Sequence, residues 1–125
     1  MAKTTPIVDV VDDDESIRTS LKMLTESSGY HVVTLKSAGE FLASSFGEAP
    51  CCLILDIRLP GMSGFSLLEH LPKSQIRIPV IFITGHDSYQ MEEKAMRLGD
   101  IAYLRKPFDE QCLLDAIQNA CVMGV

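Results

Sequence analysis

At 125 residues the chain has the length of one domain, and 46% hydrophobic with 22% charged residues supplies one core and excludes a disordered or collagen-like chain. Its apolar runs reach about five residues, far below the roughly 20 that cross a bilayer, and no apolar leader precedes the first of them. The net charge is −6, but five of the 17 acids (Asp9, Asp12, Asp13, Asp14 and Glu15) lie close together near the N-terminus and the rest of the chain is close to balance; this pattern points to a cation site, and with no Lys/Arg stripe it excludes a nucleic-acid-binding surface.

In chain order, short apolar runs alternate with stretches of helical period five times, without repeats or low-complexity tracts. The strands expected are Ile7 to Val11, His31 to Leu35, Cys51 to Leu55, Val80 to Ile83 and Ile101 to Leu104. Most are apolar throughout, as strands covered on both faces must be, which suits a parallel sheet between two helical layers. Between them Ile17, Leu21 and Leu24 repeat at helical spacing, as do Met91, Ala95 and Leu98, and Leu113, Leu114, Ile117 and Cys121 form a similar stripe. Ser37 with Glu40 and Asp87 with Gln90 fit capping boxes, Asp109 caps the last helix, and Gly29 and Gly99 fit left-handed helix ends. Asp56 to Gly64, with one Pro and two Gly, reads as the loop after the third strand. The expected architecture is an α/β (βα)5 flavodoxin-like three-layer sandwich with a parallel sheet of order 2-1-3-4-5, one domain over residues 1–125.

Ligands of such sheets bind beyond the carboxyl ends of the strands, where the strand order reverses. The first strand ends in Asp12 and Asp13, the third in Asp56, the fourth in Thr84, and the fifth, after Arg105, in Lys106. Three carboxylates about 5 Å apart repel by about 3 kcal/mol per pair at an effective dielectric near 20. They require a counter-charge, which Mg²⁺, a hard cation that prefers carboxylates, water and phosphate oxygens, supplies. Lys106 and Thr84 would then meet the free oxygens of a phosphoryl group while a carboxylate attacks phosphorus, giving an aspartyl phosphate.

Val-Val-Asp-Asp-Asp-Glu-Ser-Ile-Arg, Leu-Asp-Ile-Arg-Leu-Pro-Gly-Met-Ser-Gly, Phe-Ile-Thr-Gly-His and Leu-Arg-Lys-Pro-Phe together resemble the receiver (CheY-like) domain of two-component response regulators, in particular its FixJ-like branch. The resemblance covers nearly the whole chain. It implies that Asp56 is the phosphoacceptor, that Asp13 is a direct Mg²⁺ ligand with Asp12 acting largely through a metal-bound water, and that the backbone carbonyl of Arg58 completes the protein ligands. Lys106 and Thr84 are then the catalytic contacts to the phosphoryl oxygens, and the lysine–proline peptide is cis. Thr84 and Tyr103 form the switch, and Arg58 and His86 tune dephosphorylation. The implied partners are a sensor histidine kinase and, after phosphorylation, a second copy of the chain through the surface of the fourth helix, fifth strand and fifth helix. The implied output is transcription control through a DNA-binding helix-turn-helix domain absent from these residues, in a cytoplasmic signalling switch with no membrane contact, not a turnover enzyme. A stand-alone phosphorelay receiver is the alternative.

Two other classes fit fragments of the pattern. Asp12-x-Asp14 after an apolar strand resembles a haloacid-dehalogenase-type phosphatase, with Asp12 as nucleophile and Asp14 as acid/base, but Thr84-Gly85-His86 stands where a late acidic pair belongs. A flavin carrier of the same topology requires a phosphate cradle after the first strand, where Asp-Asp-Asp-Glu would repel the phosphate. Cys51, Cys52, Cys112 and Cys121 show no metal spacing and are expected to be four buried, reduced small hydrophobes, with Cys51 and Cys52 on opposite faces of a strand. His31 and His70 are expected at the surface.

Overall fold

Five apolar segments form the five strands, and each is followed by a helix. The computed structural model describes residues 5–43, 50–70, 78–85, 89–97 and 102–123. The elements are β1 (Ile7–Val11), α1 (Glu15–Glu26), β2 (His31–Leu35), α2 (Ala38–Ala43), β3 (Cys52–Asp56), α3 (Gly64–Glu69), β4 (Val80–Thr84), α4 (Tyr89–Arg97), β5 (Ala102–Arg105) and α5 (Glu110–Met123). All pairings are parallel, in the order β2-β1-β3-β4-β5. The last three strands each start or end one residue later than the apolar runs suggest, which places Asp56 and Thr84 inside the ladder as terminal residues.

Alternation along the strands divides the core in two. Val11, Leu53, Leu55, Val80 and Phe82 pack with Phe41 of α2, Phe65 and Leu67 of α3 and Ala95 of α4. Val8, Val10, Cys52, Ile54, Ile81 and Ile83 pack with Leu21 of α1 and Leu113, Ile117 and Ala120 of α5. Each fully buried aliphatic or aromatic side chain contributes about 1.5–3 kcal/mol, so the three inner strands hold the sheet and the helical stripes cover it. On the α4 edge, Lys94 lies 4.9 Å over the Phe65 ring and Arg105 pairs with Glu92.

The local boundary signals are realised where they are described. Asp14 caps α1 by accepting from the Ser16 and Ile17 N–H groups, and Gly29 follows the helix at φ +96°. Ser37 Oγ accepts from Glu40 N–H, while the Glu40 carboxylate accepts from Lys36 N–H, one residue earlier than a strict capping box. Asp109 accepts from Cys112 N–H at the start of α5. Asp87 and Gly99 lie outside the described residues. Asp9 leaves the acidic cluster: it stands within β1 opposite Val33 and Leu53, 8% exposed, three residues from the strand's polar end.

The cysteines correct the sequence expectation. Cys51 and Cys121 are disulfide-bonded, Cys112 is exposed, and Cys52 is the buried free thiol. β3 begins at Cys52, so Cys51 precedes the strand, and it packs against the same cluster as Cys52 rather than on the opposite face. The pairing is invisible to local spacing because α5 returns antiparallel to the strands and delivers its last turn to the end of the sheet where β3 starts.

Candidate functional site

The polar strand ends converge because the backbone holds each in place. Asp12 N–H donates to the Leu35 carbonyl at the end of β2, and the Arg18 guanidinium reaches back from α1 to the Asp12 carbonyl at 2.7 Å. Asp12 is fully buried, with Oδ1 accepting from Asp14 N–H at 2.8 Å and Oδ2 from Lys106 Nζ at 2.9 Å. Asp13 is exposed, and Asp14 turns outward to cap α1. Three adjacent identical residues therefore stand in three different settings: Asp12 buried and hydrogen-bonded, Asp13 exposed, and Asp14 capping α1.

Asp56 closes β3. Its Oδ1 accepts from Arg58 N–H at 3.1 Å and its Oδ2 from Lys106 Nζ at 3.4 Å. Lys106 is aimed by its own backbone, since its N–H donates to the Thr84 carbonyl at 2.7 Å, and the Lys106–Pro107 peptide is cis. Thr84, the last residue of β4, is buried beside them. Gly64 lets α3 start against this strand end: a Cβ there would stand 2.6 Å from the Asp56 carbonyl oxygen.

Carboxylate oxygens of Asp12, Asp13 and Asp56 lie within 4.8 Å of one another. Burial, with the Asp12 charge adding to it, pushes the Asp56 carboxyl up to about 6 against the opposing pull of Lys106 and the Arg58 N–H. Burial alone would lower Lys106, but the Asp12 hydrogen bond and the charges of Asp56 and Asp12 outweigh it and raise the ammonium. One ammonium does not neutralise three carboxylates, and the donor set is entirely hard oxygen, so these residues fit a Mg²⁺ ion.

Five of the residues singled out from the sequence are thus brought together: Asp12, Asp13, Asp56, Thr84 and Lys106. Arg58 joins them through its backbone, while its side chain is exposed. Tyr103 is half-buried on the neighbouring strand, packed against the α2–α4 side of the core, with the Arg105 guanidinium 5.6 Å from its ring centre. His86 lies outside the described residues. The roles of Arg18 and Gly64 were not read from the sequence; a glycine directly after the cap residue Ser63 is the only local mark of the second.

Residues 8–118 match the response regulator receiver domain. The chain belongs to that family. Among curated relatives, this receiver is 47% identical over 119 residues to nodulation protein W of Bradyrhizobium diazoefficiens, covering 95% of this chain and 52% of that one. It is 39% identical over 111 residues to the transcriptional regulatory protein FixJ of Azorhizobium caulinodans, covering 89% and 53% respectively. The chain spans about half the length of the curated relatives it matches. Among solved structures, a CheY-like receiver from Methanospirillum hungatei superposes with a TM-score of 0.86 at 32% identity, covering 97% of both chains. The response regulator StyR superposes at 0.85 and 43% identity, over 97% of this chain and 61% of that one. The chain is the receiver domain of a two-component response regulator, in the class that sensor kinases phosphorylate and that binds Mg²⁺ at an acidic pocket.

Proposed function

We propose that this receiver accepts a phosphoryl group on Asp56 from a phosphohistidine of a sensor histidine kinase. An Asp56 carboxylate oxygen attacks phosphorus, the bond from phosphorus to the histidine nitrogen breaks, and the imidazole leaves. Lys106 and Thr84 meet the phosphoryl oxygens as charge accumulates on them. Bound Mg²⁺ would be held by the Asp13 and Asp56 carboxylates and the Arg58 carbonyl, with Asp12 through water, and would offset the repulsion between the acceptor and the incoming phosphate. The observation that carries this reading is the position of Lys106 Nζ, 2.9 Å from Asp12 and 3.4 Å from Asp56. Incubation with acetyl phosphate and Mg²⁺ tests it. One phosphoryl group should add to the chain, none should add to Asp56→Asn, and removal of Mg²⁺ by chelation should prevent the addition.

The phosphatase reading finds less support. Asp14, its required acid/base, is engaged at the start of α1, and both oxygens of Asp12 accept hydrogen bonds. We therefore favour a signalling switch over a turnover enzyme. Its readout is a change at α4, β5 and α5, with Thr84 moving toward the phosphoryl group and Tyr103 turning inward, a bistable packing element biased by a charge near −2. Arg58, beside the acceptor, and His86 would set how long the phosphoryl group persists. Phosphorylation would promote pairing through that surface, and output would pass to a DNA-binding domain in the cytoplasm. The relatives named transcriptional regulatory protein FixJ, from three organisms, support this over a stand-alone relay. Sedimentation with and without beryllofluoride and Mg²⁺ tests the pairing, and an unchanged monomer would refute it.

A further inference from the structure

The sulfur cluster at the other end of the sheet takes no part in this chemistry. Cys51 precedes β3 and Cys121 lies in the last turns of α5; the two are 70 residues apart in sequence, with Cα atoms 4.8 Å apart and their sulfurs joined. We propose that Cys51 and Cys121 are a reversible oxidation site, a latch between β3 and α5 that closes under hydrogen peroxide and opens under small thiols.

Packing of α5 on the sheet, as well as the bond, holds the pair together. Leu113, Ile117 and Ala120 seat α5 on the sheet, and the Cα spacing falls inside the ~4.4–6.8 Å range that a disulfide accepts. Both sulfur-bearing residues are half-buried, so a small oxidant can reach them. The third sulfur does not compete, although all three lie within 4.8 Å of one another. Cys52 is fully buried, and burial, with the Asp9 charge adding, pushes its thiol up to about 12. Cys112 is exposed, and nine positions from Cys121 on a helix places it on the opposite side, too far to pair. In a reducing compartment such a bond is transient and reports oxidation, whereas a permanent staple belongs to oxidising ones.

The reaction is balanced by the peroxide. One thiolate attacks an oxygen, the O–O bond breaks, and a sulfenic acid and one water result. The second thiolate attacks that sulfur and expels the hydroxyl as a second water, so two thiol protons and two electrons end on oxygen. A dithiol such as dithiothreitol reverses the bond by exchange.

The test compares the reduced and peroxide-treated chain by thiol titration in denaturant, disulfide mapping, thermal unfolding and amide exchange. Peroxide should remove two thiols, and the bond should map to Cys51–Cys121. The Tm should rise by roughly 10 °C because a long loop is closed, and amide exchange over residues 117–123 should slow. Dithiothreitol should restore the starting state, and Cys51→Ser and Cys121→Ser should each abolish the shift while Cys112→Ser keeps it. Should one of the first two variants fail to fold, the other and the mapping still decide. Oxidation confined to Cys112, a bond that maps to Cys52, zinc held by the three thiols that blocks oxidation, or an unchanged Tm in the mapped disulfide would each overturn the latch. Acetyl phosphate labelling of Asp56 should persist in both redox states, so failure of the latch and failure of the phosphoacceptor assignment are separately visible.

Discussion

At the carboxyl end of β3 a buried carboxylate lies near an ammonium and a backbone N–H, whereas at the amino end of the same five-residue strand a buried thiol lies beside a disulfide. The two ends stand about 13 Å apart, and burial acts on both in the same direction. At the first, Lys106 and the Arg58 N–H hold the Asp56 carboxyl to about 6, within reach of ionisation at neutral pH. At the second, the nearby charge is Asp9, a like charge, and the Cys52 thiol is pushed up to about 12. Burial is the largest cause at both ends and raises both groups; the ends differ in that Lys106 and the Arg58 N–H oppose the rise at Asp56, whereas Asp9 adds to it at Cys52.

The largest effect available to break this contrast is at the acceptor, where Asp56→Asn should remove acetyl phosphate labelling altogether in intact-mass measurements; residual labelling elsewhere would dislodge Asp56 from its role. Removing the counter-charge comes next. Lys106→Met should slow labelling by about 100-fold, the usual consequence of deleting one preorganised donor, with Mg²⁺ binding retained in a fluorescence or calorimetric titration. Gly64→Ala sharpens the comparison from the packing side. Its Cβ would press on the Asp56 carbonyl, so urea unfolding should show a loss of about 2 kcal/mol.

The smallest effect, and the most diagnostic for the thiol end, is Asp9→Asn. Burial pushes the Asp9 carboxyl up to about 6. A carboxyl raised above its unfolded value of 3.8 contributes stability that is present below about pH 4 and lost as pH rises through 6. The amide has no such loss. Asp9→Asn should therefore be more stable than the parent by about 1–2 kcal/mol at pH 7.5, with the difference shrinking toward pH 4. Equal stability of the two proteins at pH 7.5 would mean that Asp9 ionises without cost.

How much of this was legible in the sequence differs between the same two ends. Asp12, Asp56 and Thr84 follow directly on apolar runs, and Asp13 and Lys106 one residue further on, so once strand order is inferred from the βα alternation their convergence follows from chain polarity. Asp109 also reads correctly as a cap, because capping is settled within three residues. The disulfide depends on where a fourteen-residue helix ends relative to a strand 70 positions away, and no local period encodes that. Asp9 misled for the opposite reason: proximity in sequence to Asp12 suggested shared purpose, while β-strand geometry carries it away from the site.

One feature of the α4 edge bears on how the protein is handled. Two of its described ties to the rest of the fold, Arg105 to Glu92 and Lys94 to the Phe65 ring, are made by charged groups at the surface, and among the described side chains of α4 the one buried in the core cluster is Ala95. Ionic strength screens such ties over a Debye length of about 10 Å at 0.1 M. Concentrated salt would therefore weaken these two ties while leaving the apolar contacts of the core in place, and preparations compared across buffers would differ along that edge.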